Sequence, residues 1–228
     1  MLIAEDLLLL VTDDGTGKLV ASGSLVDIAL GGALLVELTL TERVDVAGPD
    51  ERVAQDRLVV RDAGRTGDEV LDEALATVTS KEGKKPQTVV SALGKGIRAR
   101  LYERLAENGV LRAEGGHVLG IFPTHRWPTK DAGHEAAVRA ALETALRIGA
   151  ASDARTGALV ALLSALKAVH EVVDPEAVGL SRRELDTSAA RIAEGDWAAT
   201  AVRSAIDSMM AAIIAATTSA VVAGSRGA

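Results

Sequence analysis

No cysteine occurs anywhere in the 228 residues, so disulfides, thiolate nucleophiles, iron–sulfur clusters and cysteine-ligated zinc are excluded. Aromatic residues make up only 2%, one Phe, one Tyr and two Trp, which removes the stacking platforms that single-stranded nucleic acid requires. Excess positive charge is lacking too. Lys and Arg number 25 against 32 Asp and Glu, a formal charge of -7, so any anionic partner must be met by a local patch. Proline is scarce, at five residues, and 48% of positions are hydrophobic against 25% charged, the balance of a chain that buries a core.

Membrane-crossing and export signals are also wanting. Glu5 and Asp6 stand where a secretory signal carries a positive flank, so the opening apolar run reads as a core helix of a cytoplasmic protein. The stretch from Ser208 to Ser225 is uncharged and touches the lower length limit for spanning a bilayer. Large apolar residues along it and just before it, Ile206, Met209, Met210, Ile213, Ile214, Val221 and Val222, recur at helical spacing, which predicts a buried terminal helix instead.

What is present is mostly helical pattern. The spacing predicts helices over Ile3 to Val11, Leu25 to Leu40, Gly67 to Thr79, Gln87 to Leu93 and Ile97 to Asn108. Later helices are expected over Ala132 to Ile148, Thr156 to Val173, Ser181 to Ala193 and Asp196 to Ala223, with breaks at Pro175 and Gly195. The second of these is apolar except for Asp27 and Glu37, and Gly31 and Gly32 in its middle point to close packing or the approach of a ligand. One hairpin is expected around the Gly-Pro-Asp turn in RVDVAGPDERVAQDRLVVRD, and a second turning at Gly115 and Gly116. Without repeats or linkers, the chain reads as one domain over residues 1–228, mainly α, a helical-bundle core with small β-hairpins.

Charge is unevenly spread. Between Lys81 and Arg112 eight bases face three acids, a balance of +5, leaving 17 bases and 29 acids, or -12, elsewhere. That contrast suits an anion-binding face on an otherwise acidic body. If Lys95 and Arg98 share one helix, they lie three apart on one face near its N-terminus, where free amides also favour phosphate. Five net charges near an anionic membrane contribute about 5 kcal/mol, roughly millimolar affinity, so recruitment needs a headgroup pocket, inserted apolar residues or several copies.

No catalytic constellation assembles. GKGIRA lacks the preceding strand of a dinucleotide fingerprint, and GTGK lacks the upstream glycine of a P-loop. His117, His125, His134 and His170 have no metal-ligand spacing, and the pairs Glu5–Asp6 and Asp72–Glu73 read as ordinary helix charges. The expectation is a protein without enzymatic activity, metal or cofactor.

Several segments together resemble the Golgi phosphoprotein 3 family of peripheral membrane adaptors: EDLLLLVTDDGTG, ALGGALLVELTLTERV, TGDEVLDEALATV, RARLYERLAENGVLRAE and IFPTHRWPTKD, in that order from roughly Leu2 to Val222. The resemblance implies a mostly helical fold with small hairpins, no catalysis, and phosphatidylinositol 4-phosphate held at a basic pocket. That family's pocket uses a tryptophan and an arginine before and within the second helix, then two bases near the start of the RARLYERL helix. Aligned here, these positions fall at Ser22, Gly31, Lys95 and Arg98, so two of the four keep their charge. Losing an arginine fork removes charge-assisted hydrogen bonds of roughly 1.5 to 3 kcal/mol each, which weakens selection of one phosphoinositide. Richness in Ala, Gly, Val and Arg points to a bacterial relative. The implied partners are an anionic phospholipid surface at the inner membrane face, with Lys81, Lys84 and Lys85 adding diffuse attraction, and cytoplasmic tails of membrane proteins; homo-oligomers are compatible, and nucleic acid is not expected.

Two other readings follow from the residues. Gln87 to Phe122 has the helix, helix, hairpin order of a winged helix, with Ile97 to Asn108 as a DNA-reading helix, although Glu103 and Glu107 on it would face phosphates. Alternatively the chain is an interaction scaffold, with Trp127 either packed on the body or exposed as an anchor.

Overall fold

Leucine runs with no polar face are satisfied only at the centre of a bundle, and α1 (Ile3–Leu10) and α2 (Gly23–Leu40) lie there, every residue of α1 and eleven of α2 being buried. The computed structural model describes residues 1–13, 15–112, 114–118, 122–127, 132–194 and 200–225. Among these, α2 alone is long and apolar enough to cross a membrane, and it is a core helix: α1, α4 (Pro86–Leu93), α7 (Ala154–Ala165) and α10 (Thr200–Ser225) all pack on it. The mainly helical class expected from periodicity is what the chain adopts, with α3 (Glu69–Ser80), α5 (Ile97–Glu107), α6 (Ala132–Ile148), α8 (Val169–Val172) and α9 (Arg182–Ala193) completing the described helices.

Two short antiparallel hairpins interrupt them, β1 (Val44–Val46) with β2 (Leu58–Val60), and β3 (Glu114–Val118) with β4 (Phe122–Arg126). The second does not turn where the glycines suggested. Gly115 and Gly116 sit within β3, paired with His125 and Thr124. The reason lies upstream: the amides of Val110 and Leu111 still close the end of α5 on the Leu105 carbonyl, at 2.9 and 3.2 Å, which pushes the strand pairing downstream. A single helix over Thr156 to Val173 is likewise corrected, because Lys167 adopts a left-handed φ of 54° and separates α7 from α8. The break at Gly195 and the expected start of the last helix at Asp196 lie outside the described residues.

Charge inside the bundle is concentrated at the start of α1. Glu5 and Asp6 are each only 1% exposed, so they are not ordinary surface charges. Glu5 accepts from the Leu2 amide at 2.6 Å and lies 3.0 Å from Arg104 Nε, while Asp6 meets Arg155 at 2.6 Å and His134 at 2.8 Å. Carboxylates in the first turn also complement the helix dipole. Arg104 reaches on from α5 to fork onto Asp68, whose Oδ1 caps α3 by accepting from Val70 and Leu71. One arginine thereby ties three helices, which sets where α5 lies.

Candidate anion-binding site

The approach of α4 to α2 is closer than side chains allow. A Cβ on Gly31 would overlap the Val90 carbonyl and the Gly94 amide, and one on Gly94 would overlap the Asp27 carbonyl. After Gly94 the chain turns through Lys95 and Gly96, and Gly96 takes a left-handed φ of 77° as it enters α5. Lys95 therefore stands in the turn, exposed, and only Arg98 is on the helix.

This separates the two bases expected to share a notch. Lys95 lines a cavity of about 210 Å³ with Glu73 and Arg100, whereas Arg98 lines another of about 360 Å³ with Asp27, Ala99, Tyr102, Glu103 and Trp127. Gly96 borders both. The Arg98 guanidinium lies over the first turn of α2, where a Cβ on Gly23 would overlap it, and its Nε is 3.2 Å from Asp27 Oδ1. Burial pushes the Asp27 carboxyl above its ordinary range, against the opposing pull of Arg98. Asp27 is thus an internal counter-ion to Arg98, a role that one acid in the apolar run of α2 could have signalled.

Of the remaining aligned positions, Ser22 precedes α2 with its Oγ 3.3 Å from Ser24 Oγ and makes no side-chain cap. Gly31 is buried helix contact and offers no surface to a ligand. Lys84 and Lys85 are exposed and Lys81 half-buried, all in the turn before α4, which the Leu58 amide fastens by donating to the Lys84 carbonyl at 3.0 Å. Among the described residues none of these three, nor Lys95, makes an ion pair.

Trp127 is half-buried and packs against the core by stacking on Tyr102, which settles its exposure in favour of the body while leaving its outer part on the Arg98 cavity. The bases that a DNA-reading helix would present are spent elsewhere: Arg100 pairs with Glu73 and Arg104 with Asp68 and Glu5. Chemically, the Arg98 cavity combines a guanidinium, two carboxylates and an aromatic wall. It can accept a phosphate on Arg98 and hydroxyl donors on Asp27 or Glu103.

Residues 3–209 match the family described as Golgi phosphoprotein 3 (GPP34). Vacuolar protein sorting-associated protein 74 of Eremothecium gossypii is 30% identical over 148 residues, which cover 54% of this chain and 43% of that relative.

Proposed function

Because the chain belongs to the Golgi phosphoprotein 3 (GPP34) family, we propose that it is a non-enzymatic peripheral adaptor that docks on anionic phospholipid headgroups through the Arg98 cavity. The observation that carries this reading is the placement of Arg98: an arginine in the first turn of α5, laid over the first turn of α2, at the mouth of a 360 Å³ cavity walled by Trp127. The start of α5 and a guanidinium meet there, which favours an oxyanion on Arg98 in competition with Asp27. Lys95 takes no part in gripping the same phosphate; exposed in the adjoining turn, it joins Lys81, Lys84 and Lys85 as diffuse attraction, about 1 kcal/mol for each base close to an anionic surface.

Phosphatidylinositol 4-phosphate is the headgroup by family likeness, and selection among phosphates is weak because Ser22 and Gly31 supply no second arginine. On this reading the protein sits reversibly on the inner membrane face of a bacterium and gathers cytoplasmic tails of membrane proteins. The relative's name ties that protein to vacuolar sorting, which supports an adaptor role here.

Co-sedimentation with phosphatidylcholine vesicles doped with phosphatidylglycerol or phosphatidylinositol 4-phosphate tests the reading. Binding should rise with anionic lipid and fall several-fold in Arg98→Ala. Binding indifferent to lipid charge, or untouched by that substitution, would refute it.

A further inference from the structure

Eight arginines, Arg43, Arg61, Arg65, Arg98, Arg100, Arg104, Arg139 and Arg155, have a carboxylate partner. Three that converge on one cavity do not. Arg147 in the last turn of α6, and Arg183 and Arg191 on α9, line a concavity of about 310 Å³, and among the described residues none of them makes an ion pair. Three guanidiniums gathered without a carboxylate partner on a chain of net charge -7 form a local positive field that a multiply charged anion can neutralise. We propose that this cavity is a phosphate-binding site, separate from the Arg98 cavity and independent of its reading.

The arginines are placed by packing. Arg183, Thr187 and Arg191 fall four residues apart, one stripe of α9. Ser188 Oγ donates to the Leu146 carbonyl at 2.5 Å and pins that stripe against the end of α6. There α6 stops at Gly149, which has a left-handed φ of 76°, and the Arg191 guanidinium fills the space a Cβ would need. Both the conformation and the vacancy require glycine, so the end of α6 is shaped to hold Arg191 beside Arg147.

The one acid in the lining, Glu184, is committed elsewhere. It accepts from the Ser181 amide at 2.8 Å and the Ser181 hydroxyl at 2.7 Å in the capping box of α9, which holds its carboxyl below the ordinary range. The hydroxyl protons of Thr187 and Ser188 go to the Arg183 and Leu146 carbonyls, so the donors left for a ligand are those of the arginines. Three positive charges against one negative leave a surplus of two, the charge a phosphomonoester carries near neutral pH. A carboxylate would neutralise only half of it. The cavity also exceeds what a bare phosphate fills, leaving room for the group that bears it.

The experiment titrates the full chain with inorganic phosphate and pyrophosphate by calorimetry at low ionic strength, and sediments it with phosphatidylcholine vesicles containing phosphatidic acid, whose headgroup is a phosphomonoester. In the Arg98→Ala background, which removes the other proposed phosphate site, saturable one-to-one binding of pyrophosphate is expected, weakened at least tenfold when Arg183→Gln or Arg191→Gln is added. Because these arginines are exposed, the variants should keep the parent circular dichroism. As a readout without substitution, pyrophosphate should protect Arg183 and Arg191 of the parent protein from phenylglyoxal, as read by peptide mass. If the phosphate belongs to a lipid, vesicle binding falls in the same variants; if it belongs to a soluble compound, only pyrophosphate binding falls. Absence of saturable binding, binding retained when both Arg183→Gln and Arg191→Gln join Arg98→Ala, or no protection would overturn the proposal.

Discussion

Trp127 lies flat on Tyr102, with ring centroids 5.2 Å apart and planes 1° from parallel. At that separation the rings are offset, the arrangement their quadrupoles favour. Tyr102 is itself anchored: Thr12 Oγ1 gives its proton to the Leu8 carbonyl at 2.6 Å and so accepts from the Tyr102 hydroxyl at 2.7 Å. The wall of the Arg98 cavity is therefore fastened to the end of α1. Trp127→Ala should cost about 2 kcal/mol from lost stacking and burial, read as a lower urea midpoint by circular dichroism. Trp127→Phe should recover more than half of it. An alanine variant as stable as the parent would mean that the stack contributes nothing to the fold.

Gly31 gives a second, sharper test, because the resemblance drawn from the sequence sets an arginine against it. The α2–α4 contact leaves no room for any side chain there, and the atoms a Cβ would meet are backbone, which cannot swing aside. Gly31→Ala should lower stability by about 2 kcal/mol or more despite the better helix propensity of alanine, and Gly31→Arg should fail to fold instead of restoring a phosphate contact. A well-folded Gly31→Arg that binds anionic vesicles more tightly would show the helices able to part.

The helices were legible because burial of one face is written locally, at spacings of three and four, and α6 begins and ends at the residues that periodicity indicates. The split at Lys167 was not, since nothing in its neighbours demands a left-handed residue. At the site, the identity of Arg98 was readable from the resemblance, but its separation from Lys95 depends on one dihedral at Gly96. The Arg147, Arg183 and Arg191 cluster escapes any count of charge along a window, because its members come from helices with α7 and α8 between them. The packing of Ser188 on Leu146 and of Arg191 on Gly149 unites them.

Asp27 competes with any anion for Arg98. Asp27→Asn keeps the shape of the side chain and removes its charge, so binding to phosphatidylglycerol vesicles should tighten by about threefold to tenfold, in line with the 0.5–1.5 kcal/mol typical of one such contact. The folded Asp27 carboxyl titrates above its ordinary value, so the parent should approach the variant as pH falls and the carboxyl takes up its proton. Equal vesicle binding by parent and variant across that range would remove Asp27 from the site.

Two buried or bridged carboxyls should pull stability in opposite directions with pH. Arg104 holds Asp68 below its ordinary value of 3.8; the unfolded chain then binds its proton more readily, so the stability Asp68 contributes is present above 3.8 and lost as pH falls through the lower folded value. Glu37 behaves in the reverse sense. Burial raises it above 4.5 despite the Ile3 amide, which donates to it at 2.7 Å, and Arg155 at 3.7 Å. Its folded form binds the proton more tightly than the unfolded chain, so stability is fully present below 4.5 and declines as pH rises through the folded value. Glu37→Gln keeps an acceptor for the Ile3 amide without the buried charge. Its urea midpoint should exceed that of the parent at pH 7, and the gap should close toward pH 4.5. A variant less stable than the parent at pH 7 would mean that Arg155 more than offsets the desolvation of Glu37, making the ion pair, not the burial, the dominant effect at the head of α1.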